Sequence, residues 1–295
     1  MGSEIKVALI GLDTSHTNQF AMRMQAPDCP PEQKVDGLKA VNCLRFSTPF
    51  ISEKELDERQ RQLESWGVRV TTDFNQAATG CDVLMLEIND PAYHLDYFRR
   101  CAELGKPMFL DKPLAENIAN GKAIYQIARD KKVRVFSSSS LRYLPQLTET
   151  CRQMPDPLFV HTYGPLGEAP AGSSIVWYGV HTFEMLERAI GRGATSVFTK
   201  KDASGVTCIV GYPDDRRGIV ELSTGAWIYG GCLRQKDKTL PFVADTSRLY
   251  ADLLIRIRDF FKTGQAPVAL EDTLEIMGML DAAQRSSDSG QEEKL

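Results

Sequence analysis

No stretch of this 295-residue chain is apolar for long enough to cross a bilayer. No basic segment with a signal-type apolar core precedes the first apolar run, Ile5 to Ile10. A cytoplasmic chain without membrane contact is therefore expected. An excess of positive charge is missing too: 35 Lys and Arg stand against 39 Asp and Glu, a net charge of -4. That balance offers no general basic field for a polyanion, so nucleic acid is not an expected partner. Seven cysteines (29, 43, 81, 101, 151, 208 and 232) are scattered with no C-x-x-C pair, which suits reduced thiols and neither a zinc ribbon nor a disulfide framework. Histidine is scarce, at positions 16, 94, 161 and 181, and no H-x-H or H-x-x-x-H pair occurs. A trio of His16, His181 and Asp13 is conceivable, but no metal is expected from this pattern.

What is present is ordinary globular composition, 42% hydrophobic and 25% charged, in a chain long enough for two domains. Lys6 to Ile10 reads as a strand ending at Gly11, followed by a helical pattern from Thr14 through Met24. Such a unit turns the first amides of a helix towards a phosphate. The glycine fingerprint is broken, however: G-x-G-x-x-G reads Gly11-Leu12-Asp13-Thr14-Ser15-His16. Asp13 is expected to repel a pyrophosphate, with Thr14 and Ser15 compensating through their hydroxyls, and the same residues read equally well as helix caps. At the end of the second strand, Lys39 to Leu44, no acidic residue stands to hold a ribose; Arg45 and Ser47 are there, a pair that suits a 2′-phosphate.

Apolar runs continue at Val68 to Thr71, Asp82 to Leu86, Pro107 to Leu110 and Val133 to Phe136, alternating with helical patterns at 53–66, up to Ala102, and 116–130. This alternation predicts a doubly wound parallel sheet of the Rossmann type over residues 1–138. Beyond the polar run Ser137 to Ser140 the pattern changes. Strand-like runs at 159–163, 196–200, 206–212, 218–222 and 226–232 follow with few helices between, so residues 139–295 are expected to form an α+β domain with an open, mostly antiparallel sheet. Two helices, 246–261 and 271–285, close the chain before a polar tail expected to fray. The exposed face of such a sheet calls for covering, so self-association through it is expected.

Phe109-Leu110-Asp111-Lys112-Pro113 puts Lys112 at the carboxyl end of a strand, where open parallel sheets bind their ligands. There a lysine donates a proton or polarises a substrate oxygen; the plainer reading is a solvated lysine before a turn. The surrounding stretch, Glu103 to Ala115, resembles the A-G-K-x-V-x-x-E-K-P-L-A motif of the Gfo/Idh/MocA family of glucose-fructose oxidoreductases and inositol dehydrogenases, with Asp for Glu. Asn89 to His94 is similar to its P-N-x-x-H turn, Arg142-Tyr143-Leu144-Pro145 to its R-F/Y-x-P, and Gly179 to Glu184 to its G-x-H-D-x-D.

The resemblance implies NAD or NADP as cofactor, a secondary hydroxyl of a sugar, cyclitol or related polyol as substrate, and Lys112 and His181 as catalytic residues. The residues expected along the cofactor are Gly11, Asp13, Thr14, Ser15, His16, Arg45, Glu87, Asn89, His94, Asp111 and Lys112. Arg142, Tyr143, Tyr163, Trp177, Tyr178 and His181 are expected at the substrate. Oxidation of an alcohol needs a base with a near-neutral pKa, which histidine supplies. Read without the family, His181 fits a helix cap or a core histidine equally. Two departures stand out: the loop from Gly11 to His16, and Trp177 where the family commonly has a catalytic Asp. They leave open two alternatives, a Rossmann-fold binding or regulatory subunit impaired in cofactor binding, and a non-redox lyase or isomerase acting on a sugar.

Overall fold

The structure, a computed structural model, describes residues 4–295. It divides into two compact units: residues 1–115, 122–137 and 250–270 form the first, and 116–121, 138–249 and 271–295 the second. One break falls between Ser137 and Ser138. Two segments do not follow chain order, since 250–270 returns to the first unit and 116–121 joins the second. The return has an aromatic cause. Phe260 meets Phe136 edge-on at 5.0 Å, and Tyr250 meets Phe20 at 6.0 Å, so these rings leave water inside the first unit's core.

In the first unit, β1 (Ile5–Ile10), β2 (Leu38–Leu44), β3 (Arg69–Thr71), β4 (Val83–Leu86), β5 (Met108–Leu110) and β6 (Val135–Ser137) form a six-stranded sheet in the order β3-β2-β1-β4-β5-β6, all pairs parallel. Between them run α1 (Ser15–Gln25), α2 (Glu53–Ser65), α3 (Phe74–Ala78), α4 (His94–Ala102) and α5 (Ile118–Asp130). Val7 to Ile10 and Val83 to Leu86 are buried throughout, as strands covered on both faces must be. Starts and stops follow local chemistry. Thr14 caps α1 through its hydroxyl, and Ser52 with Glu55 makes a capping box for α2. The order reverses between β1 and β4, the switch point at which such sheets bind ligands.

The second unit holds α6 (Pro145–Gln153), β7 (Phe159–Pro165), α7 (Ser174–Trp177), α8 (Val180–Ile190), β8 (Ser196–Asp202), β9 (Gly205–Gly211), β10 (Arg217–Ser223), β11 (Gly230–Arg234) and β12 (Thr239–Val243). Helices α9 (Leu249–Thr263) and α10 (Leu270–Ser289) follow, then β13 (Glu293–Lys294). Its seven-stranded sheet runs β12-β11-β7-β10-β9-β8-β13, antiparallel except for β7 with β10. Burial alternates along β9 and β10, so one face is core and the other open. Across the open face Cys232, His161, Ile219, Ile209 and Phe198 stand in one register row, with Ile209 43% exposed.

Three local expectations needed correction. The tail does not fray: α10 continues to Ser289, and Glu293 and Lys294 pair with β8. Strand β12 escaped notice because Pro241 sits within it, and a proline is tolerated there because β12 is an edge strand. The run at 226–232 is strand only from Gly230; before it, Trp227 and Ile228 stand 66% and 63% exposed in a loop.

Candidate functional site

At the switch point the chain leaves β1 through Gly11, whose φ of +114° and missing side chain are both needed, because a Cβ there would overlap the Glu87 carbonyl oxygen. The loop then ties itself down. Thr17 Oγ1 donates to the Gly11 carbonyl at 3.1 Å, and Thr14 Oγ1 accepts from His16 N at 3.2 Å. Asp13 does not aim outward. Its Oδ1 accepts from Asn89 N at 2.9 Å, and its Oδ2 from Thr48 Oγ1 at 2.8 Å and Asp90 N at 3.3 Å, so the carboxylate joins the ends of β1, β2 and β4. Burial raises its pKa against the lowering effect of these donors. The repulsion expected between Asp13 and a pyrophosphate thus meets a carboxylate already turned inward and bonded. The amino end of α1, an 11-residue helix, remains at the switch point with Ser15 exposed, so the loop's construction fits a dinucleotide phosphate.

Arg45 is occupied. Its Nη2 lies 2.9 Å from Glu53 Oε2 and 2.7 Å from Asp57 Oδ1, and its Nη1 donates to Gln60 Oε1 at 2.7 Å, so a 2′-phosphate would have to compete with two carboxylates. Sequence reasoning missed two neighbours. Arg59 Nη1 donates to the Leu12 carbonyl at 3.1 Å, and Phe46 stacks on Tyr97 at 4.5 Å with 12° between the rings. Positions 59 and 97 lie within helical patterns, where nothing local distinguishes them from surface residues.

His94, expected beside the cofactor, is buried as a brace. Its Nε2 is 2.8 Å from the Ile88 carbonyl oxygen and its Nδ1 3.4 Å from that of Leu114, which pins the loop after β4 to the loop after β5. Beside it lies a polar cluster that no single motif announces. Asp111 and Glu87 are wholly buried, His16 Nδ1 is 2.8 Å from Asp111 Oδ2, and Lys112 Nζ is 3.7 Å from the same oxygen. His16 and Asp111 thus form a close ion contact. Burial alone would raise Asp111, but the His16 and Lys112 charges hold it well below the carboxylate range. Burial and then the Asp111 charge push Glu87 well above that range. Lys112 itself, only 6% exposed at its side chain, is no solvated surface lysine.

In the second unit, His181 opens α8, and its Nδ1 lies 2.6 Å from Ser139 Oγ, which also accepts from Leu141 N. Tyr178 and Tyr229 meet the imidazole edge-on at 5.4 and 5.9 Å, and Trp227 meets Tyr178 at 5.7 Å. Trp177 packs beside Tyr178 at 5.1 Å. Arg142, expected to hold substrate, is instead buried between Glu187 (2.5 Å) and Glu184 (3.3 Å). Glu184 in turn accepts from Ser139 N at 3.1 Å, so α8 and the His181-bearing turn are latched to the Ser138–Ser139 segment. Tyr143 ends the short turn at 140–143, and Tyr163 lies half-buried in β7. The histidine, serine and aromatic rings come together; Arg142 does not join them. The Asp13 carboxylate, suggested as one of a trio with His16 and His181, is spent on Thr48 and the backbone.

Residues 5–139 match the Gfo/Idh/MocA family model, an oxidoreductase family with an NAD-binding Rossmann fold. Solved structures extend the likeness in fold across the whole chain. An oxidoreductase from Agrobacterium radiobacter, in complex with NAD+, L-tartaric acid and magnesium, superposes with a TM-score of 0.76 at 15% identity, covering 99% of this chain and 98% of its own. A myo-inositol dehydrogenase from Corynebacterium glutamicum gives 0.78 at 14%, covering 99% of each chain. The scyllo-inositol dehydrogenase of Lactobacillus casei gives 0.79 at 12%, covering 99% and 98%. Both units therefore share the fold of these solved structures.

Proposed function

We propose that this protein is an NAD(P)-dependent dehydrogenase of the Gfo/Idh/MocA family, acting on a secondary hydroxyl of a sugar, cyclitol or related polyol. The observation that carries the proposal is the setting of His181. Its Nδ1 is engaged by Ser139 Oγ at 2.6 Å, and its ring is rimmed by Tyr178 and Tyr229. In the base form Nδ1–H donates to Ser139 and leaves the Nε2 lone pair to take the hydroxyl proton. Aromatic faces such as Trp227, largely exposed, suit the C–H faces of a cyclic polyol. Lys112, at the strand end after β5, steadies the oxygen as its bond order to carbon changes. When bound, NAD(P) supplies the hydride acceptor. The open face of the second sheet supports self-association as a homodimer or homotetramer.

The regulatory-subunit alternative drew on Asp13 as a barrier to phosphate, and the inward bonds of its carboxylate remove much of that motive. The test is a thermal melt and calorimetric titration with NAD, NADH, NADP and NADPH, followed by a polyol screen read by nicotinamide absorbance. A ligand held only by the folded protein raises the melting temperature by mass action. Lys112→Met is expected to abolish turnover with the fold intact; full turnover in that variant would remove Lys112 from the mechanism. Absence of dinucleotide binding at millimolar ligand, in protein shown to retain none from purification, would sink the nicotinamide reading.

A further inference from the structure

We propose that His16, Glu87 and Asp111 form a site for one divalent transition-metal ion at the carboxyl ends of β1, β4 and β5. One donor atom from each lies within 4.8 Å of the others, and all three residues are buried. Donors of one tetrahedral ion, at bond lengths of about 2.0–2.2 Å, stand about 3.3–3.6 Å apart, so binding draws the wider pairs inward and parts His16 Nδ1 from Asp111 Oδ2 slightly.

Two observations point to an occupant. Glu87 is wholly buried, and neither of its carboxyl oxygens has a hydrogen-bond partner among the described residues, a condition rare in native cores. His16 Nδ1 lies 2.8 Å from Asp111 Oδ2, so an imidazole nitrogen and a second carboxylate oxygen border the same space as Glu87. A divalent ion supplies the missing partner.

One imidazole nitrogen with two carboxylate oxygens favours Mn²⁺, Fe²⁺, Co²⁺ or Zn²⁺ over the all-oxygen shells of Ca²⁺ and Mg²⁺. Access runs past His16, whose side chain is 11% exposed where that of Asp111 is 0%. The strand order places these ends side by side, and the third position of the glycine fingerprint is where His16 enters. The proposal does not depend on which substrate the protein takes, or on whether it turns one over.

The test uses the full chain. Protein purified without chelator is assayed for metal by mass spectrometry, then stripped and titrated calorimetrically with Co²⁺, Zn²⁺ and Mn²⁺ while cobalt absorbance in the visible is recorded. The expected result is one equivalent bound, a raised melting temperature and a cobalt ligand-field band. Glu87→Gln and His16→Gln should each weaken binding by more than a hundredfold, beyond the 10–100-fold typical of outer-shell changes. Glu87→Gln replaces a buried carboxyl with a neutral group of the same shape, so it is expected to fold, as circular dichroism will show; Asp111→Asn gives an independent readout. Failure of the stripped protein to take up any of the three ions at millimolar concentration would overturn the proposal. So would unchanged affinity in both the Glu87 and His16 variants.

Discussion

Glu184→Gln should flatten one part of the protein's pH–stability curve. The Glu184 carboxyl is wholly enclosed, and burial, only partly countered by Arg142 and the Ser139 amide, raises its pKa from 4.5 to about 7. The folded chain therefore keeps a proton between pH 4.5 and about 7 that the unfolded chain has released. A raised carboxyl pKa means stability that is fully present below the unfolded value and lost as pH climbs to the folded one. At about 1.4 kcal/mol per pH unit, the gap amounts to about 3 kcal/mol, present at pH 4.5 and gone by pH 8. The glutamine variant has no proton to lose and keeps the Glu187 partner of Arg142. Urea unfolding followed by tryptophan fluorescence, at half-unit steps from pH 4.5 to 8, reads the difference between the two proteins, with Trp177 and Trp227 reporting on the second unit. Asp13, also raised and remote from Glu184, cancels in that difference. Wild type should lose about 3 kcal/mol relative to the variant across the window. Parallel curves would refute the assignment, and a difference growing towards acid would reverse its sign.

Two further outcomes follow from the first unit. Asp13→Gly restores a fingerprint glycine, yet it strips the acceptor from Asn89 N, Asp90 N and Thr48 Oγ1. The variant should lose about 2–4 kcal/mol without gaining affinity for NAD, as a melt with and without ligand will show; an unchanged melting temperature would contradict the bonds described. Arg45, held by Glu53 and Asp57, should leave the protein favouring NAD over NADP by at least about tenfold, or about 1.4 kcal/mol, in calorimetric titration. Glu53→Gln with Asp57→Asn should narrow that preference, and equal binding of both dinucleotides by the wild type would refute it.

What the sequence made legible was whatever is written in short range. The near-continuous apolar strands of the first unit, the glycine exit from β1 and the end of β5 at Lys112 each sit within a dozen residues, where periodicity and turn chemistry are local. Relations carried by the fold were hidden. Arg142 looked like a ligand-binding arginine until Glu184 and Glu187, more than 40 positions away, closed on it. Ser139 read as part of a polar exit, and only the turn of α8 brings it to His181. Trp227 and Tyr229 read as strand because exposed aromatic residues and β-formers share a composition.

The altered loop shows why the distinction matters. Taken along the chain, Gly11-Leu12-Asp13-Thr14-Ser15-His16 is a glycine motif with two positions lost. In space those two positions have partners of their own: Asp13 is met by the amides of Asn89 and Asp90 and by Thr48, and His16 by Asp111. A loop decaying from disuse would leave a buried carboxylate and imidazole without matching groups, because each burial is unfavourable until it is answered. Here the answers come from three other strand ends, and Gly11 is retained where any side chain would strike the Glu87 carbonyl. The loop is therefore one in which strand ends are joined by polar bonds. Asp13 is the member with a full set of hydrogen bonds, whereas the Glu87 carboxyl, one residue beyond β4, has none among the described residues.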